Sequence, residues 1–374
     1  MKPLMQQIHE RLLEAAAKSG LVVLDTPELN AETPPHLLDD DITPLSRLFA
    51  RNTGQMPVFS AREVAAWTLT IDGCVGSPQT WTIEALKNNF EPVSQIAVLE
   101  CAGNGRAFFR EPTGPILWQY GAVGCVRWTG VRLADLLRQC DPLPNAVYTG
   151  HHSPDLTLDG SGPALSRGLP IAKALAPETL VAYAINGEPI PALHGGPLRI
   201  VAPGYPGSAS QKWLTRVELR DREHDGECMT GQHYRMPRTP VRYGEPLDHI
   251  PFDVITDMPV RSLITFPREG FRAPAGQKLV VRGRTWSGHV AVARVELSCD
   301  NGRTWSEASL GPLPDRFAWR RFEATLTNLP PGPIEIIARA TDVEGGTQPL
   351  DSVPWNPRGY CNNRVHRITG TILR

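Results

Sequence analysis

Beyond Pro251 the chain breaks into short apolar runs separated by turns, and this rhythm limits the possible folds more than any other feature of the sequence. The runs cover residues 262–266, 278–285, 291–298, 317–326 and 334–342, with turns such as Cys299-Asp300-Asn301-Gly302 between them. Val292, Val295 and Leu297, and later Ile334, Ile336 and Ala338, mark the buried face of strands whose other face is polar. Side chains alternate along a strand, so such spacing fits strands packed on one side only. Recurrent short strands of this kind predict a β-sandwich of immunoglobulin type over residues 251–374, without the Cys–Trp–Cys staple.

A chain of 374 residues is long for a single core, so a second domain is expected ahead of the sandwich. The formal net charge of −1 gives no basic field for nucleic acid. Arginine outnumbers lysine 32 to 6, and its planar fork suits bidentate oxyanion binding. The seven cysteines are dispersed, with no CxxC pair or CxxCH, so neither a disulfide framework, an iron–sulfur motif nor covalent haem is indicated. No apolar run is long enough to span a membrane.

The first 250 residues mix helix and strand signals. Met1 to Leu24 reads as an amphipathic helix and carries no secretory pattern. Residues 25–50, with Pro27, Pro34, Pro35 and Asp39-Asp40-Asp41, read as an extended lead-in rather than a packed element. Strands are expected at 67–74, 96–100, 146–150, 180–185 and 198–201, helices at 82–90 and 170–176, and over Trp128–Arg138 a turn into an amphipathic helix ending near Cys140. Together these indicate an α+β domain over 42–250, after a lead-in over 1–41.

The chemistry gathers at Cys101-Ala102-Gly103-Asn104-Gly105-Arg106, where a strand stops in a glycine-rich turn. A thiol at a strand end beside an arginine reads as a soft-metal ligand or a nucleophile. A buried cysteine serving as a small hydrophobe would also fit. Four further stretches share its character: Arg51-Asn52-Thr53-Gly54; His194-Gly195-Gly196-Pro197-Leu198-Arg199; the loop from Pro203 through Ser208 and Ser210 to Lys212; and His233-Tyr234-Arg235-Met236-Pro237. The Ser208–Lys212 loop offers backbone N–H groups and an ammonium to a phosphate. His151-His152 has no third ligand at metal spacing.

These stretches, in this order and with the late Trp355-Asn356-Pro357-Arg358-Gly359-Tyr360, resemble the sulfite oxidase family of molybdenum-cofactor enzymes, and most of all its bacterial sulfite dehydrogenases. The resemblance runs from about residue 42 to the C-terminus. It implies an α+β domain holding one molybdenum–molybdopterin per chain, no haem, and an immunoglobulin-like domain that forms a homodimer. It implies that Cys101 is the thiolate on molybdenum, and that Arg51, Arg106 and Tyr234 line a sulfite pocket with Trp118 at its wall. Asn52, Thr53, His194, Arg199, Ser208, Ser210 and Lys212 are the implied cofactor contacts. The implied reaction is oxidation of sulfite to sulfate by oxygen-atom transfer, with electrons passed to a separate acceptor such as a c-type cytochrome or a small oxidant.

Vertebrate members of the family carry histidine where this chain has Thr53, and threonine cannot titrate. Nitrate or sulfoxide reduction in the same architecture is the alternative activity, and a cofactor-free interaction protein is the alternative of another class. As written, the sequence is expected in the cytoplasm, or in the periplasm if it is that of a mature form.

Overall fold

The structure is a computed structural model that describes residues 4–374. The helix expected from Met1 spans Leu4–Lys18; the first three residues lie outside the described ones.

An antiparallel sheet carries the Cys101 segment. Val93–Glu100 pairs with Val123–Arg132, which pairs with Leu180–Ile185; Arg199–Val201 and Glu188–Pro189 share the far edge of that last strand. A second sheet orders Gln79–Thr82, Thr68–Gly73, Arg216–Arg220, Tyr148–His152 and Gly168–Pro170. Its pairing between Thr68–Gly73 and Arg216–Arg220 is parallel. Helix Ile83–Asn89 begins where the Thr82 hydroxyl accepts the Ala85 amide at 3.1 Å, which satisfies one of the free N–H groups of a helix start. Helix Leu133–Gln139 buries Leu133, Leu136 and Leu137, the spacing of a single helix face. These leucines pack with Leu69, Ile71 and Val217 of the second sheet and Val131, Val181 and Ile200 of the first. Each such side chain contributes about 1.5–3 kcal/mol on burial.

Of the stretch from Trp128 to Arg138 the helical part is present from Leu133, but the turn expected to lead into it is instead the continuation of strand Val123–Arg132. Gly130 accounts for the difference: a Cβ there would lie 2.2 Å from the Val181 carbonyl, so glycine serves the close approach of two strands rather than a turn.

Eight strands follow in the C-terminal part, in the order Arg261–Phe266, Leu279–Trp286, Arg320–Leu326, Ser306–Leu310, Val292–Ser298, Gly332–Asp342, His366–Leu373, Phe271–Pro274. One core joins Ile264, Val281 and Phe322 from the first strands of that order with Val295, Leu297, Ile336 and Ile368 from the later ones, so the two halves face each other as layers. Three of these strands had no sequence expectation. Ser306–Leu310 buries Ala308 alone and therefore carries no alternation to read. The run at 317–326 becomes a strand only from Arg320, because Phe317, Ala318 and Trp319 pack instead against residues of the first domain.

Residues 25–50 correct the expectation of a loose lead-in. Val22–Asp25 and Asn30–Glu32 form a hairpin, and Leu29, Ala31, Leu38 and Leu48 are buried. The Asp39 carboxylate accepts from Arg282 Nε at 2.8 Å and the Thr265 hydroxyl at 2.6 Å, while Asp41 accepts from Arg284 Nη1 at 2.6 Å. The acidic run thus ties the first domain to the second. Its partners lie more than two hundred residues away, so local composition reads it as solvated.

Candidate active site

Two cavities meet at Cys101. Cys101, Arg51, Thr53 and Tyr234 line both the inner and the outer one. Cys101 stands just after strand Val93–Glu100, fixed by its amide to the Ala122 carbonyl at 2.9 Å and by its carbonyl to the Asn104 amide at 2.9 Å. The preceding Glu100 lies buried 2.7 Å from Arg261 and accepts Trp286 Nε1 at 2.8 Å, both from the C-terminal domain. Asn104 Nδ2 donates at 3.0 Å to the same Glu100 oxygen that Arg261 approaches. The loop holding the thiol is therefore clamped on both sides.

The inner cavity gathers Asn52, His194, Arg199, Ser208, Ser210 and Lys212. Arg199 donates to the carbonyls of His194 at 2.6 Å and Ser210 at 2.8 Å and stacks 4.9 Å from the centre of the Trp128 ring. It has no carboxylate partner among the described residues, and burial lowers its pKa to about 9. Lys212 donates to Asn52 Oδ1 at 2.6 Å and the Leu193 carbonyl at 2.8 Å. Burial, reinforced by Arg199, holds its pKa well below the ordinary lysine range. His194 is pushed down to about 3 by burial and the same two cations, so it is neutral. The buried Ser208 hydroxyl has no hydrogen-bond partner, whereas Ser210 Oγ is engaged with the Ala202 amide at 3.1 Å. Arg199 and Lys212 make no ion pair among the described residues, and with the free hydroxyl they leave the cavity short of negative charge even though Asp155 places one buried carboxylate on its wall. An anionic, polar cofactor fits that deficit.

The outer cavity is lined by Arg51, Arg106 and Tyr234 together with Glu28, Ile116, Cys228, His233, Arg358 and Tyr360. Arg51 reaches Glu28 at 3.2 Å and Asn30 at 3.4 Å. Burial opposes its charge, but Tyr234, Cys101 and Glu28 outweigh that and raise its pKa. Arg106 donates to the carbonyls of Arg358 at 2.7 Å and Ile116 at 2.9 Å. Its guanidinium occupies room left by Gly103, where a Cβ would meet Nη2 at 2.5 Å, and by Gly114 at 3.1 Å. Tyr234 adopts φ 52°, stacks on Tyr360 at 5.4 Å and lies under Arg167 at 4.6 Å. Burial raises its pKa, which keeps the hydroxyl protonated as a donor.

Trp118 is corrected. It is fully buried one layer behind the cavities, edge-on to Phe49 at 6.3 Å, and Ile116 takes the wall position instead. The tight contact from the Trp118 amide to the Ile116 carbonyl at 3.0 Å goes with this inward turn. Sequence reasoning missed Arg167, the cation over the Tyr234 ring, and the cavity groups Glu28, His233, Arg358 and Tyr360. Glu28 and Arg167 had no local signal, while the last three stood in stretches already noted. The His151-His152 pair gains His224 as a neighbour, but both nitrogens of His224 are engaged, with Ser166 at 2.7 Å and Arg220 at 2.6 Å.

Among the described residues no three His, Cys, Asp or Glu side chains are grouped to hold a metal. A metal at Cys101 must therefore bring further ligands with it, as a soft metal on a sulfur-bearing cofactor does.

Known proteins fit this geometry. Residues 54–228 match the oxidoreductase molybdopterin binding domain, and residues 252–372 the Mo-co oxidoreductase dimerisation domain. Sulfite oxidase of Gallus gallus is 32% identical over 361 residues, covering 93% of this chain and 77% of that one. The mitochondrial sulfite oxidase of Homo sapiens is 33% identical, but the chain spans only 63% of its length. The sulfane dehydrogenase SoxCD of Paracoccus pantotrophus superimposes with a TM-score of 0.78 at 25% identity, over 94% of this chain and 88% of that one.

Proposed function

The chain belongs to the sulfite oxidase family, and on that premise we propose that it oxidises sulfite to sulfate at a molybdenum–molybdopterin centre, passing electrons to a separate acceptor. The observation that carries the reading is the meeting of an anion-deficient inner cavity and an arginine-lined outer cavity at one thiol. The inner residues Arg199, Lys212, His194 and Ser208 would hold the pterin and its phosphate, and Cys101 would bind the metal. When bound, that group supplies the oxygen atom and takes up the electron pair.

The chain's own residues do the rest. Arg51 and Arg106 present planar forks to the substrate oxyanion, and a charge-assisted hydrogen bond of this kind is worth about 1.5–3 kcal/mol. Glu28 bonds Arg51 and the Gly54 amide, at 3.1 Å, and so fixes the direction of the first fork. The Tyr234 hydroxyl donates to an oxygen of the bound anion. Thr53, at the junction of the cavities, contributes no titration of its own.

The C-terminal layers fit an immunoglobulin-like sandwich that brings two copies of the chain together, and a c-type cytochrome or small oxidant suits the role of acceptor. Measuring molybdenum per chain alongside sulfite-dependent reduction of ferricyanide tests the reading. About one molybdenum with sulfite turnover supports it; molybdenum with nitrate turnover alone moves the substrate; no molybdenum from a cofactor-competent host overturns it. Arg51→Gln is expected to raise KM for sulfite about tenfold or more while molybdenum content holds, as steady-state kinetics and metal analysis on one preparation would show.

A further inference from the structure

We propose that His233 is a positioning residue for Arg358, holding that guanidinium at the outer cavity as a third anion-binding fork only while its Nε2 is unprotonated. The inference rests on the sulfite reading above and goes beyond it in naming which group sets the affinity.

Arg358 Nη2 lies 2.9 Å from His233 Nε2, and both side chains line the outer cavity beside Arg51, Arg106 and Tyr234. A guanidinium has donors and no acceptor. The contact is a hydrogen bond only when Nε2 offers a lone pair, so the geometry fixes the neutral tautomer with the proton on Nδ1. Arg358 has no carboxylate partner among the described residues, and its remaining donors are left for a ligand. Protonating His233 would replace the bond with two like charges in contact, and the long arginine would swing away.

The groups facing His233 come from several segments. Arg358 stands in the loop before strand His366–Leu373, and Arg167 just before Gly168–Pro170. Tyr234 is its chain neighbour, while Cys228, Tyr360, Arg51, Arg106 and Glu28 share the cavity. Glu28 is the one carboxylate lining it, and it is already bonded to Arg51. Burial, then Arg358 and Arg167, lower the His233 pKa and favour the neutral form.

The test compares wild-type holoenzyme with His233→Gln and His233→Leu over pH 5–9. Glutamine keeps a non-titrating acceptor for Arg358, and leucine removes it. At pH 8 His233→Leu should raise KM for sulfite about tenfold with kcat within about twofold, and His233→Gln should stay near wild type. The ratio of wild-type to His233→Gln kcat/KM should fall as pH drops. Titration of sulfite itself is common to both proteins and cancels in that ratio. Equal KM values for wild type and His233→Leu, or a ratio that is flat or rises in acid, would overturn the proposal. Sulfate binding, followed by calorimetry on the same three proteins, gives a readout free of turnover. If wild type does not oxidise sulfite, the functional reading fails, and a weakened sulfate affinity in His233→Leu alone still upholds the positioning role.

Discussion

Cys101→Ser is expected to abolish sulfite turnover while leaving the folded protein and its cofactor cavity intact. Serine is nearly isosteric, and the contacts that fix this residue run through its backbone, to Ala122 and Asn104. Packing therefore changes little, and the thermal midpoint should move by no more than an ordinary conservative substitution allows. The chemistry changes entirely. A serine hydroxyl is a hard donor that stays protonated at neutral pH, whereas a soft metal calls for thiolate. Pterin content should persist, since Arg199, Lys212 and Ser208 lie away from the substituted atom on the inner cavity. Full activity in the serine protein would remove Cys101 from the metal.

Glu100→Gln is expected to be the most destabilising single change around the site. Glu100 and Arg261 are 1% and 4% exposed and 2.7 Å apart. Taking away the carboxylate charge leaves a buried guanidinium uncompensated, a loss of about 3–5 kcal/mol. The midpoint in a thermal melt should drop sharply. The double variant Glu100→Gln/Arg261→Met should recover part of the loss, because it removes the stranded charge as well. An unchanged melt for the single variant would show that the pair does not hold the domains together.

The groups legible in the sequence were those whose position is set by neighbours in the chain. Cys101 ends an apolar run at a glycine turn, and Arg199 opens another after the glycines at 195 and 196; both sit where a strand rim would place them. Lys212 follows a Gly/Ser loop and lines the inner cavity with Ser208. What escaped reading was fixed by closure of the chain over long distances. Glu28 reaches Arg51 from a segment that looked solvated, and Arg167 meets Tyr234 across sixty-six intervening positions. Trp118 fell on the wrong side of a wall because one tight turn decides which way it faces, and spacing alone does not record that turn. Gly130 misled for a related reason: the need for a bare backbone looks the same whether a turn or a neighbouring strand demands it.

Arg358 and Tyr360 line the outer cavity, and Arg261 sits against the residue before Cys101. A gene fragment ending near residue 250 would encode a cofactor domain lacking one wall of its substrate chamber and carrying an orphaned anion beside its thiol. The two parts read as separate modules, yet an exchange of either would have to preserve these contacts. Drift in the distal part is answerable at the reaction centre.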